Sequence, residues 1–174
     1  MQTYSDLSLI ECAKRGDLTA FLQFANRHQA QVFHFISLIV SNYEEAEDLT
    51  LKIFADAYQE LQNLSVNMEV KTWLFKIAIE RITNDDNLRG SIATACQKVL
   101  AKLRRRLDEP LFVERFAGDA PIEARKITLR SYLALVLLEA ERCDYTEISE
   151  IMACSTGDVA KHIFQAREEI VALM

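Results

Sequence analysis

Four carboxylates crowd one short stretch of the chain: Glu44, Glu45, Glu47 and Asp48. Such a cluster can pair with a basic surface on another macromolecule. It can equally be a solvated helix start, where acidic side chains meet the positive end of the helix dipole. Near the other end, Lys161, His162, Gln165 and Arg167 fall on what the pattern reads as the exposed side of a helix. Side chains of that kind can reach phosphates and base edges. Chemistry of the catalytic kind finds no support. His28, His34 and His162 are not spaced as a metal site, the cysteines Cys12, Cys96, Cys143 and Cys154 form no CxxC pair, and no Ser or Cys has an evident base partner. The expectation is no catalytic residue, no metal, no cofactor and no enzyme activity.

Helices must position these groups. Four glycines and two prolines in 174 residues leave little material for the tight turns of a β-rich fold. Leu7, Leu9, Ile10 and Ala13 mark a first helix that Gly16 can stop, and Asp17 can cap a long second one. A third is expected from about Glu44 to Leu61, with Phe54 among its apolar positions. A fourth should run from about Lys71 to Asn84 around Trp73, Leu74, Ile77, Ala78 and Ile82. Residues 90–107 read as a further helix ending in Arg104-Arg105-Arg106, followed by Pro- and Gly-containing linker to Pro121. A helix then spans about 122–140. Asp144 with Glu147, and Ser155 with Asp158, repeat a capping spacing around a turn at Ala153-Cys154. A two-turn helix, a tight turn and a longer capped helix is helix-turn-helix geometry.

Half of the residues are hydrophobic, enough for packed cores, and the net charge is −6. A tight stand-alone DNA binder usually carries a basic field instead. The balance suits docking on a basic partner, or DNA contact supported by a larger machine; it also fits plain solubility. No apolar run reaches the roughly 18 residues of a membrane span, and no export signal is visible at the start, so the expectation is a cytoplasmic protein with free thiols and no membrane insertion.

Three segments in order resemble extracytoplasmic-function (ECF) sigma factors, the small bacterial subunits of RNA polymerase. Gly16-Asp17 with Ala20-Phe21 looks like the opening of sigma region 2. Glu45-Ala46-Glu47-Asp48-Leu49 with Phe54 looks like the acidic polymerase-docking helix, and Trp73-Leu74-Phe75-Lys76-Ile77-Ala78 like the stretch leading into the −10 reader. Tyr145 to Met152, then Cys154 to Val159 and Ala166-Arg167, resembles the region 4 helix-turn-helix that reads the −35 element. The resemblance implies an all-α chain of two small domains: residues 1–89 like region 2, a partly helical linker at 90–121, and 122–174 like region 4. It implies core-polymerase binding on the β′ subunit through Glu44, Glu47, Asp48 and Phe54. Promoter DNA would meet Lys76, Arg81 and Arg89 on the −10 side, and Ser155, Thr156, Lys161, His162, Gln165 and Arg167 on the −35 side. An anti-sigma factor could clamp the two domains. The chain also departs from the family pattern. Leu51 and Lys52 follow the acidic pair, Ile79 and Glu80 stand where a basic residue and Asn are usual, and Asp158-Val159-Ala160-Lys161-His162 replaces Thr-Val-Lys-Ser-Arg. A second reading therefore stays open: a sigma-like interaction protein that has lost promoter recognition and binds a regulator or the polymerase.

Overall fold

A computed structural model describes residues 4–40, 42–64, 68–85 and 128–172. The regular elements among them are all helical: α1 (Asp6–Lys14), α2 (Leu18–Ser37), α3 (Tyr43–Glu60), a single 3-10 turn at Leu61–Asn63, α4 (Val70–Asn84), α5 (Leu129–Glu139), α6 (Tyr145–Ile151) and α7 (Thr156–Ala172). The linker at 90–121, with Arg104, Arg105 and Arg106, and the candidate contact Arg89 lie outside the described residues.

Caps fix most of the boundaries. The Ser5 hydroxyl accepts from the Ser8 amide at 3.2 Å and starts α1. Gly16, at φ +96°, turns the chain out of α1 through the left-handed region, where a Cβ is strained. One residue later Asp17 accepts from the Ala20 amide at 3.1 Å and opens α2. Asn42 does the same for α3, accepting from Glu44. Each such cap satisfies an amide that the first helical turn leaves unpaired.

Helices α1 to α4 pack around one aromatic core. Phe24, Phe35, Ile36, Ile53, Ala57, Leu61, Trp73, Phe75, Ala78 and Ile82 are buried. Phe35 and Phe75 stack tilted at 4.7 Å between ring centres, and Trp73 lies 6.3 Å from Phe24. Of the four apolar residues that mark α1, Leu9, Ile10 and Ala13 form its buried stripe and Leu7 is 56% exposed. Asp6 ties α1 to α2, accepting from Arg27 at 2.9 Å and meeting His28 Nε2 at 2.8 Å. Burial alone would push its carboxyl up, but the hydrogen bonds from Arg27 and His28 outweigh that and hold it below the usual carboxylate range.

The C-terminal helices gather around α5, and their buried residues continue the same core. The α5 residues from Ser131 to Leu137 are all buried, so this helix is apolar all round, as befits an internal helix. Helices α6 and α7 lean on it through Ile148, Ile151, Val159, Ile163, Ala166 and Ile170.

Candidate functional site

The helix-turn-helix is built by two reciprocal caps. At α6, Asp144 accepts from the Glu147 amide at 2.8 Å while Glu147 accepts from the Asp144 amide at 2.7 Å. At α7, the Ser155 hydroxyl accepts from the Asp158 amide at 3.1 Å. The Asp158 carboxylate in turn takes the Ser155 hydroxyl at 2.7 Å and its amide at 3.3 Å. Those two bonds from Ser155 hold the Asp158 carboxyl below its ordinary range. Asp158 is thus occupied by the cap, as its spacing predicts. Ala153 makes the turn at φ +50°, a left-handed conformation that costs a side chain about 1 kcal/mol.

Burial on α7 sorts the expected DNA-side residues into two groups. Thr156, Lys161 and Phe164 face outward with Gly157 and Ala160. His162, Gln165 and Arg167, expected on the exposed side, flank the buried stripe instead and turn toward α5. His162 Nδ1 lies 3.3 Å from the Ser131 hydroxyl, that hydroxyl lies 3.4 Å from Gln165 Oε1, and Arg167 donates to Glu139 at 2.8 Å. The reason is phase. With Val159, Ile163, Ala166 and Ile170 inward, position 162 lies about 70° and position 165 about 130° from the centre of the stripe, both on the side where Ser131 of α5 lies. Burial, with Arg130 nearby adding to it, pushes the His162 imidazole below its ordinary value and so favours the neutral ring. Two residues that the pattern did not single out belong to this surface. Arg130, at the start of α5, is an exposed cation beside the turn, and Phe164 is 48% exposed on the outer face of α7. Counting 3.6 residues from Val159 places Phe164 outside; Arg130 comes from a distant segment that no local pattern indicates.

A pH prediction follows from His162. The unfolded chain takes up a proton below about pH 6.5, but the folded one resists until lower pH, so stability falls as pH drops through that window. Thermal melts between pH 7.5 and 5.5 should show this loss, and His162→Gln should flatten it. Equal slopes in the two proteins would count against the burial of the ring.

On the other block, Glu44, Glu47 and Asp48 are exposed along the first turns of α3, and Glu45 is half-buried. Asp48 meets Lys52 at 2.6 Å. Phe54 is 7% exposed and belongs to the core beneath this face. Along α4, Lys76 is half-buried and Arg81 is bound to Asp56 of α3 at 2.9 Å. Among the described residues no group of three or more His, Cys, Asp or Glu could hold a metal ion, and no helix is long and apolar enough to cross a membrane.

An acidic face on a helical bundle is thus set apart in sequence from a capped helix-turn-helix. Residues 24–87 match the family model of sigma-70 region 2. The chain is 29% identical to the RNA polymerase sigma-H factor of Pseudomonas aeruginosa, over 95% of this chain and 91% of that one. It is 28% identical to the ECF RNA polymerase sigma-E factor of Haemophilus influenzae, over 95% and 93%. Its fold is similar to that of CnrH solved in complex with the cytosolic domain of CnrY, with a TM-score of 0.65, 20% identity and coverage of 95% and 94% of the two chains. It also resembles the sigma factor RpoE bound to the anti-sigma factor NepR from Bartonella quintana, with a TM-score of 0.56, 17% identity and coverage of 90% and 97%. Over nearly its whole length the chain is thus similar to RNA polymerase sigma factors, ECF sigma factors among them.

Proposed function

We propose that this chain is a cytoplasmic sigma subunit that directs promoter-specific initiation by RNA polymerase without catalysis of its own. The observation that carries the reading is the doubly capped helix-turn-helix, whose second helix turns Thr156, Lys161 and Phe164 outward in a chain of this family. Glu44, Glu47 and Asp48 supply a docking face for a basic surface of the β′ subunit, and Phe54 holds α3 in place from below. Lys76 and Arg81, with Arg89, meet the −10 DNA; Ser155, Thr156 and Lys161 meet the −35 DNA. His162, Gln165 and Arg167 act there mainly by fixing the pose of α7 against α5. Residues 1–89 and 122–174 work as separate domains, and an anti-sigma factor is the regulator that such a chain would answer to.

The rival is a sigma-like interaction protein without promoter recognition. Glu80 is exposed on α4, Arg81 is already bound to Asp56, and burial disfavours the charged form of His162. Together these thin the cationic surface on which DNA affinity depends. Run-off transcription with core polymerase and a promoter library separates the two. Specific transcripts from the wild type are expected, with DNA binding by the protein alone weak. No transcript on any promoter, with tight binding to a regulator retained, would overturn the sigma reading.

A further inference from the structure

Ile79 and Glu80 stand where the family pattern has a basic residue and Asn. Both line a cleft of about 110 Å³, whose opposite wall includes Arg130, Leu133, Ile151 and Met152. The floor is apolar: Ile79, Leu133, Ile151 and Met152 are 6%, 0%, 1% and 4% exposed. The rim is charged. Glu80 and Arg130 are both exposed, one on each wall.

Among the described residues neither rim charge is held in an ion pair. Arg81, the cation next to Glu80 in sequence, is bound to Asp56 instead. The backbone adds to the separation of charge. Glu80 lies near the C-terminal end of α4, and Arg130 lies in the first turn of α5. A helix carries partial negative charge at its C-terminus and partial positive charge at its N-terminus. The α4 wall thus favours a cation and the α5 wall an anion.

These features select a ligand. A fatty acid would satisfy Arg130 but set its carboxylate near Glu80; an alkylamine would satisfy Glu80 but set its ammonium near Arg130. A zwitterion with an aliphatic tail meets both walls. Size narrows the choice further. A dry cavity of about 150 Å³ takes the six carbons of benzene, so this cleft takes about four. Four carbons make the side chain of leucine or isoleucine. We propose that the cleft binds a free aliphatic α-amino acid of that size. Its side chain lies on Ile79, Leu133, Ile151 and Met152, its carboxylate on the Arg130 guanidinium and its ammonium on the Glu80 carboxylate. Arginine is suited to this task because its planar fork takes a carboxylate in two parallel hydrogen bonds. A basic residue at 79 and Asn at 80 would crowd the floor and remove the acid, so the site belongs to this chain's own departures. The binding stands apart from the sigma reading.

The probe is L-leucine, titrated into the full-length protein and followed by saturation-transfer NMR at its methyl protons. Saturable binding is expected with a Kd on the order of 1 mM, as suits so small a ligand in a partly open cleft. Glycine lacks the tail, isovalerate the ammonium and isopentylamine the carboxylate. Each should bind at least about tenfold more weakly, since the rim or floor group it leaves unmatched stays desolvated. Glu80→Gln and, separately, Arg130→Gln should weaken leucine by a similar factor of about ten. Both side chains are exposed, and circular dichroism should show an unchanged helix content. Leucine that fails to saturate by about 20 mM, any of the three analogues matching it, or rim variants that leave its Kd unchanged overturn the proposal. No readout uses polymerase or promoter. A wild type that binds leucine and never yields transcripts keeps the site and loses the sigma reading, whereas one that transcribes and ignores leucine does the reverse.

Discussion

Reversing Glu47 and Asp48 together to lysine lowers affinity for core polymerase by roughly ten- to a hundredfold, because a like charge set against a basic surface costs a few kcal/mol. Both side chains are exposed on the first turns of α3 and play no part in the aromatic core, so their loss leaves the bundle folded. The double reversal has a local cost of its own. It removes the contact between Asp48 and Lys52, sets two lysines one turn apart, and places positive charge near the helix N-terminus. Those effects amount to a few tenths of a kcal/mol each, far below the binding change. Added salt should weaken the wild-type complex and affect the variant complex less, since screening acts on the attraction that the variant lacks. Titration of labelled protein against core enzyme at two ionic strengths measures both. Equal affinity for wild type and variant would remove α3 as the docking face.

The helical frame was legible because capping is a local matter. Asp17, Asp144 with Glu147, and Ser155 with Asp158 each announce a helix start within four residues of sequence, and each cap is present. The inward face of α7 was legible too, from Val159, Ile163, Ala166 and Ile170. Its outward face was read less well. Two residues on either side of an apolar stripe look polar in sequence whether they point to solvent or to a neighbouring helix, and only the position of Ser131 and Glu139 decides it for His162, Gln165 and Arg167. The cleft was not legible at all. Ile79 in a row of apolar residues looks like one more core position, and Arg130 looks like any surface cation. They line one cleft from segments far apart in the chain, a relation that no periodicity contains.

The second large effect lies in the core that carries α3 and α4. Phe35 is fully buried on α2 and packs on Phe75 of α4 at 4.7 Å, with the rings tilted by 32°. Truncating a buried Phe to Ala costs about 3–5 kcal/mol, part transfer and part cavity, and the lost ring pair accounts for about 0.5–1.5 kcal/mol that area alone does not capture. A small domain holds only about 5–15 kcal/mol in total, so Phe35→Ala removes a large share. At roughly 4–8 °C per kcal/mol for a domain of this size, the melting temperature of the N-terminal block should fall by more than about 10 °C. Phe35→Leu keeps most of the volume and should cost no more than about 1.5 kcal/mol. The consequence reaches beyond stability, because α4 presents one side to this core and another to α6. Phe35→Ala should therefore also disturb the cleft at Ile79 and weaken leucine binding at temperatures where far-ultraviolet circular dichroism still reports native helix. A melting shift below about 5 °C would mean that the α2–α4 contact is not what holds α4 in place.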